Sequence, residues 1–302
     1  MVLLTVDSRT RRLAAGFQFL EAPRWHLGQL FMSDFFARKV LSFDASRGVE
    51  TVCEVAGRPS GLGFRPDGTM LVVSMLDKRL LSFASGNLIE IADLAAHAKG
   101  PANDMVVDAK GRAYVGNFGS DFYANEPEAA TCLLRVDPDT SVHVLAEGLE
   151  FPNGMAITAD QKTLLVAESL GCRITAFDLA DDGLLHNRRC WASFEPRPAS
   201  PTFTDALASG AVIPDGICLD ADGALWVANS GGHEVLRIAE GGDILDRISC
   251  GSSTTYAVAL GGEQGTSLFM CVGPKFATYD PETTRNGELW MANVDVPGLT
   301  SL

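Results

Sequence analysis

Six segments of this chain share one pattern, a tight turn followed by a short apolar strand. They are HLGQLFMSD (26–34), PDGTMLVVS (66–74), AKGRAYVGN (109–117), ADQKTLLVAES (159–169), ADGALWVAN (221–229) and EQGTSLFMCV (263–272). Aligned at the strand, they start at Gln29, Thr69, Arg112, Thr163, Ala224 and Ser267, at intervals of 40, 43, 51, 61 and 43 residues. A period near forty made of short strands and Asp-Gly turns marks a β-propeller, in which each blade is a four-stranded sheet. Further alternating strands follow, as in KVLSFD (39–44) and EVLRIAEGG (234–242). The chain is therefore predicted to be all-β, a single six-bladed propeller over residues 1–302. Strands from its two ends are expected to share one blade, because closing the ring removes open sheet edges. The two longest intervals hold FGSDFYANEPEAAT (118–131) and ASFEPRPASPTFTDALASGAV (192–212). Both read as loops that line or cover a site.

About nine residues before each of these strands stand Glu21, Ser60, Asn103, Asn153, Asp215 and Thr255. In a propeller each falls at the mouth of an innermost strand, facing the central channel. A β-sandwich shares the regular spacing but predicts no such common polar position. Taken alone, P-N-G and P-D-G are turn signals; their shared phase across repeats favours convergence on a centre. Two carboxylates and two amides offer oxygen at short reach, and buried charge needs a partner. A hard divalent cation, Ca²⁺, Mg²⁺ or Mn²⁺, satisfies such a set, whereas the lack of His and Cys disfavours structural zinc.

Together, EAPRW, PSGLGFRPDGTMLVVS, NDMVVDAKGRAYVGN, FPNGMAIT, LLVAES and IPDGICLDADGALWVAN resemble the senescence-marker-protein/gluconolactonase/luciferin-regenerating-enzyme family over roughly residues 15–296. The resemblance implies a six-bladed propeller with one divalent metal in its channel, most often hydrolysing lactones. It implies Glu21, Asn153 and Asp215 as metal ligands, with Asn103 completing the set or holding water or substrate. Asp215 would also be the general base, and Asp215 and Asn103 the catalytic pair. Calcium is the first expectation for the ion, with Mn, Zn or Mg as alternatives. Ser60, Asp104, Phe118, Tyr123, Phe151 and Thr255 are assigned to substrate binding. Sugar-lactone members often carry Arg two residues before the Asn of the ND motif; here that residue is Pro101. This points away from a sugar acid lactone and towards a less polar ring, with Phe118, Phe122, Tyr123 and Phe151 as an apolar wall. A phosphotriesterase-like hydrolase on the same ion, or a binding propeller with a structural ion, are the competing readings.

A net charge of −14 disfavours nucleic acid and anionic membrane as partners. A small lactone or ester remains, with the oligomeric state open. Seven scattered cysteines without a C-x-x-C pair argue against a disulfide framework or zinc ribbon. DADGALW (220–226) lacks the closing Glu of a calcium loop, since residue 231 is Gly, and reads as a hairpin turn. No apolar stretch has membrane-spanning length, and MVLLTVDSRTRR lacks the layout of a secretory signal. A cytoplasmic protein is expected.

Overall fold

The structure is a computed structural model that describes residues 5–121, 126, 128–195 and 203–299. Phe122 and Tyr123, two of the residues assigned to the apolar wall, lie outside the described residues. Among the described residues, six antiparallel four-stranded sheets form the blades of a propeller. The innermost strands are Leu20–His26, Pro59–Phe64, Ala102–Val107, Pro152–Ile157, Pro214–Leu219 and Thr254–Gly261, here defining blades one to six. The second strands begin at Gln29, Met70, Ala113, Thr163, Leu225 and Ser267. Each lies within one residue of the start that the repeat predicts.

Blades pack face to face, so the second strands are covered on both sides. Met70–Ser74 and Leu225–Asn229 are buried throughout, which is why they read as continuous apolar runs rather than alternating ones. The outermost strands meet solvent: Leu185–Ser193 exposes five consecutive residues. Asp220 Oδ1 accepts the backbone N–H groups of Asp222 and Ala224, and Oδ2 pairs with Arg237 at 2.6 Å. The segment DADGALW is thus a hairpin turn, as its sequence predicts. The ring closes as expected: Thr10–Phe17 forms the outer strand of blade six, antiparallel to Gly287–Asn293. Among the described residues no helix is long and apolar enough to cross a membrane.

The P-N-G and P-D-G segments are not turns. Both lie inside innermost strands, and their glycines serve the packing of one blade on the next. A Cβ on Gly154 would stand 2.5 Å from the Asp215 carbonyl oxygen and 2.6 Å from the Ile217 nitrogen. One on Gly216 would stand 2.5 Å from the Ala257 Cβ, and one on Gly61 2.5 Å from the Met105 nitrogen. None of the three takes the left-handed φ that usually demands glycine; what they supply is room. Gly154→Ala is expected to cost about 1–3 kcal/mol by overpacking, read as a lower midpoint in urea unfolding. An unchanged midpoint would mean that blades four and five separate freely.

Candidate active site

Each of the six in-phase residues, Thr255 of blade six included, is the second residue of its innermost strand. At this level every innermost strand breaks register with its neighbour. The breaks fall between Glu21 and Arg24, Pro59 and Leu62, Ala102 and Met105, Pro152 and Met155, Pro214 and Ile217, and Thr255 and Ala257. In each, the inner strand carries one residue more than its partner. Such a bulge re-aims side chains that strict alternation would send into the neighbouring blade. In blade one the residue after Glu21, Ala22, takes a left-handed φ of 47°, an unfavourable conformation for a residue with a Cβ.

Glu21, Asn103, Asn153 and Asp215 line one cavity at the channel end where these strands begin. Three of the strands are clamped just upstream by the last residue of the adjoining second strand. Asp34 accepts the backbone N–H groups of Gln18 and Phe19 at 3.1 and 3.0 Å. Glu168 accepts that of Glu150 at 2.7 Å, and Asn229 that of Ile213 at 3.0 Å. These are the strands that carry Glu21, Asn153 and Asp215. The Asn103 amide donates to the Pro152 carbonyl at 3.3 Å and accepts from the Ser60 hydroxyl at 3.4 Å. The Asn153 amide donates to the Ser169 hydroxyl at 3.2 Å.

Glu21 and Asp215 are buried, at 8% and 4% exposure. Burial pushes the Asp215 carboxyl up to about 8; Ser230 and Asn153 oppose this by hydrogen bonding, and the Asp104 charge adds to it. Burial, then Asp215 and Asp104, hold Glu21 well above the ordinary glutamate range. Asp215 Oδ1 has no hydrogen-bond partner among the described residues. Among the described residues no cluster of three or more His, Cys, Asp and Glu side chains is arranged for a metal. The centre has two carboxylates, and its remaining oxygens belong to amides. Two buried carboxylates, one oxygen unpartnered, beside two amides fit a hard cation with open positions for water or substrate.

The cavity wall is aromatic. Phe118 and Phe151 stack with ring centres 4.6 Å apart and planes at 16°, and both line the cavity as expected. Phe19, Phe35, Phe36, Tyr256 and Phe276 join them, and Leu207 comes from the short helix Phe203–Ala208 inside the second long insertion. Of these, Phe19 stands two residues before Glu21 as Phe151 does before Asn153, and Phe35 follows its second strand as Phe118 does, so the repeat phase held a signal for both; Phe36, Tyr256, Phe276 and Leu207 carry no such signal. Three of the expected substrate contacts are not among the residues lining this cavity. Ser60 is spent on Asn103. Thr255 Oγ1 lies 3.1 Å from Cys250 Sγ. Asp104 turns towards the opposite end of the channel, where it takes Arg24 at 2.7 Å and its own neighbour's N–H at 2.8 Å.

Residues 19–273 match a family model described as SMP-30/Gluconolactonase/LRE-like region. Regucalcin from Gallus gallus is 26% identical over 256 residues, covering 83% of this chain and 81% of that protein. A 6-deoxy-6-sulfogluconolactonase from Pseudomonas putida is 26% identical over 286 residues, 92% of each chain. The solved structure of a calcium-binding protein, regucalcin, from Agrobacterium tumefaciens superposes with a TM-score of 0.76 at 19% identity, covering 96% of this chain and 95% of that one.

The raised carboxyls fix the sign of one pH effect. Between about pH 4, where such groups titrate in an unfolded chain, and about pH 8, where Asp215 titrates when folded, the folded state binds more protons. The contribution of these two groups to stability therefore falls as pH rises through that window, and outweighs the opposite contribution of His26, which burial holds below the ordinary histidine range. Chelator-treated protein is expected to lose a few kcal/mol from pH 5 to pH 8, seen as a falling melting temperature. A melting temperature that rises across the window would contradict the buried, unpaired state of the two carboxyls.

Proposed function

Since this chain belongs to the SMP-30/gluconolactonase/LRE-like family, we propose that it hydrolyses a lactone with the help of one divalent cation. Its preferred ring is less polar than a sugar acid lactone. The observation that carries this reading is the cavity itself, two carboxylates and two amides at its base under an aromatic wall. The relatives named as a lactonase and as a calcium-binding protein support it. So does Pro101. It stands where sugar-lactone members often carry Arg and brings no charged or hydrogen-bonding side chain.

Glu21, Asn153 and Asp215 would hold the ion, calcium first among the candidates, with Asn103 completing the set or holding water or substrate. A bound divalent ion supplies Lewis acidity for the lactone carbonyl and a more acidic water. The chain's own part is positional and basic. Asp215, with its unpartnered oxygen, takes the proton of the attacking water. One N–H of Asn103 is used by Pro152, which leaves the other for the developing oxyanion. The aromatic wall excludes bulk water and accepts an apolar ring substituent.

Asp215→Asn and Glu21→Gln are each expected to lower kcat/KM at least about 100-fold in a pH-indicator assay of lactone opening. Near-normal turnover by both variants would overturn the carboxylate mechanism. On the unsubstituted chain, an alkyl-substituted lactone is expected to be opened faster than gluconolactone, with activity lost on chelation and restored by Ca²⁺ or Mn²⁺. Faster opening of gluconolactone would overturn the apolar preference.

A further inference from the structure

We propose that Ser169 is a positioning residue that sets which atom of the Asn153 amide faces the cavity; this rests on the cation reading above. Ser169 ends the segment LLVAES and is fully buried. Its backbone is pinned by a hydrogen bond from its N–H to the Phe151 carbonyl at 3.1 Å. Its hydroxyl donates to the Pro214 carbonyl at 2.7 Å and accepts from Asn153 Nδ2 at 3.2 Å.

Proton counting makes the arrangement directional. A carbonyl can only accept, so the single hydroxyl proton of Ser169 is committed to Pro214. The atom of Asn153 that faces Ser169 must then be a donor, the NH₂ group. The amide oxygen is left for the cavity that Asn153 shares with Glu21 and Asp215. Cations take the oxygen of an amide, never its NH₂, so a reversed amide would set a donor against the ion. Pro214 directly precedes Asp215, so the same hydroxyl ties the Asn153 side chain to the strand that carries the carboxylate. Asn103 is oriented by the same logic, its NH₂ facing the Pro152 carbonyl, but without an intervening hydroxyl.

The test is Ca²⁺ binding by calorimetry on chelator-stripped protein, in two backgrounds. Ser169→Ala removes this acceptor and leaves Asp215, whose carboxylate the ion would engage, as the remaining partner of the Asn153 NH₂, so the amide can reverse. It is expected to raise the Kd for Ca²⁺ about tenfold while circular dichroism still reports the folded ring. In an Asn153→Asp background the side chain presents an oxygen either way round, and adding Ser169→Ala is expected to change the Kd less than about twofold. Should Ser169→Ala not fold, Ser169→Cys, whose thiol is weak in both roles, reads the same loss in the same two backgrounds. An equal loss in both backgrounds would show a merely structural role and overturn the proposal. So would no loss in either, with the cation reading left intact. Failure of the unsubstituted chain to bind Ca²⁺ would overturn the proposal and the cation reading together.

Discussion

At three of the six places where neighbouring innermost strands meet beside the cavity, the backbones pass so close to one another that a single methyl group between them does not fit. Gly61, Gly154 and Gly216 stand at these crossings, each with an atom of the next blade 2.5 Å from where a Cβ would be, well inside van der Waals contact. Much at the centre follows from that crowding. Side chains beside the glycines cannot lie between blades, and the one-residue bulge in each innermost strand turns them to the axis. Asn153 and Asp215, each beside one of these glycines, are turned to the axis by the crowding and the bulge together, and Glu21, beside Ala22, by the bulge.

Crowding also explains the price in local strain and in charge. Ala22 and Phe151, beside the centre, hold left-handed φ values of 47° and 58°, which isolated residues with a Cβ avoid by roughly 1–2 kcal/mol. The surrounding sheets over-determine both. Among the described residues no cationic side chain pairs with the two buried carboxyls, since Arg24 is engaged by Asp104 and the backbone carbonyls of Pro23 and Met105. Polar base and aromatic wall thus meet in one cavity with little compensation from the protein itself. That imbalance is the usual state of a site built to receive something.

The fold was legible because a propeller repeats its backbone, and a repeat writes its period and phase into the chain. Strand starts came out within a residue, and of the six residues that share the phase four, Glu21, Asn103, Asn153 and Asp215, line the cavity. Phase locates a Cα, however, and not the direction of a side chain. In blade six the register break lies between Thr255 and Ala257, so Tyr256 is the extra residue and reaches the cavity while Thr255 does not. Asp104 sits next to a residue that lines the cavity and is drawn the other way by Arg24, a partner 80 positions away that no local pattern reveals. Part of the aromatic wall was hidden for a related reason. Phe36, Tyr256 and Phe276 come from non-equivalent places in their blades, and only the closed ring brings them together.

The strand Thr10–Phe17 completes the last blade, and the chain then runs directly into Glu21. The first residue of the centre is therefore tethered to the seam of the ring. While the polypeptide leaves the ribosome, Glu21 emerges before the innermost strands of blades two to six and waits for those of blades four and five before its companions can stand opposite. Assembly of the centre and fastening of the seam are one event. A particle nicked at the seam would keep every blade and yet hold its carboxylates out of alignment, so wholeness of the circle, rather than integrity of any one sheet, is what the centre reports.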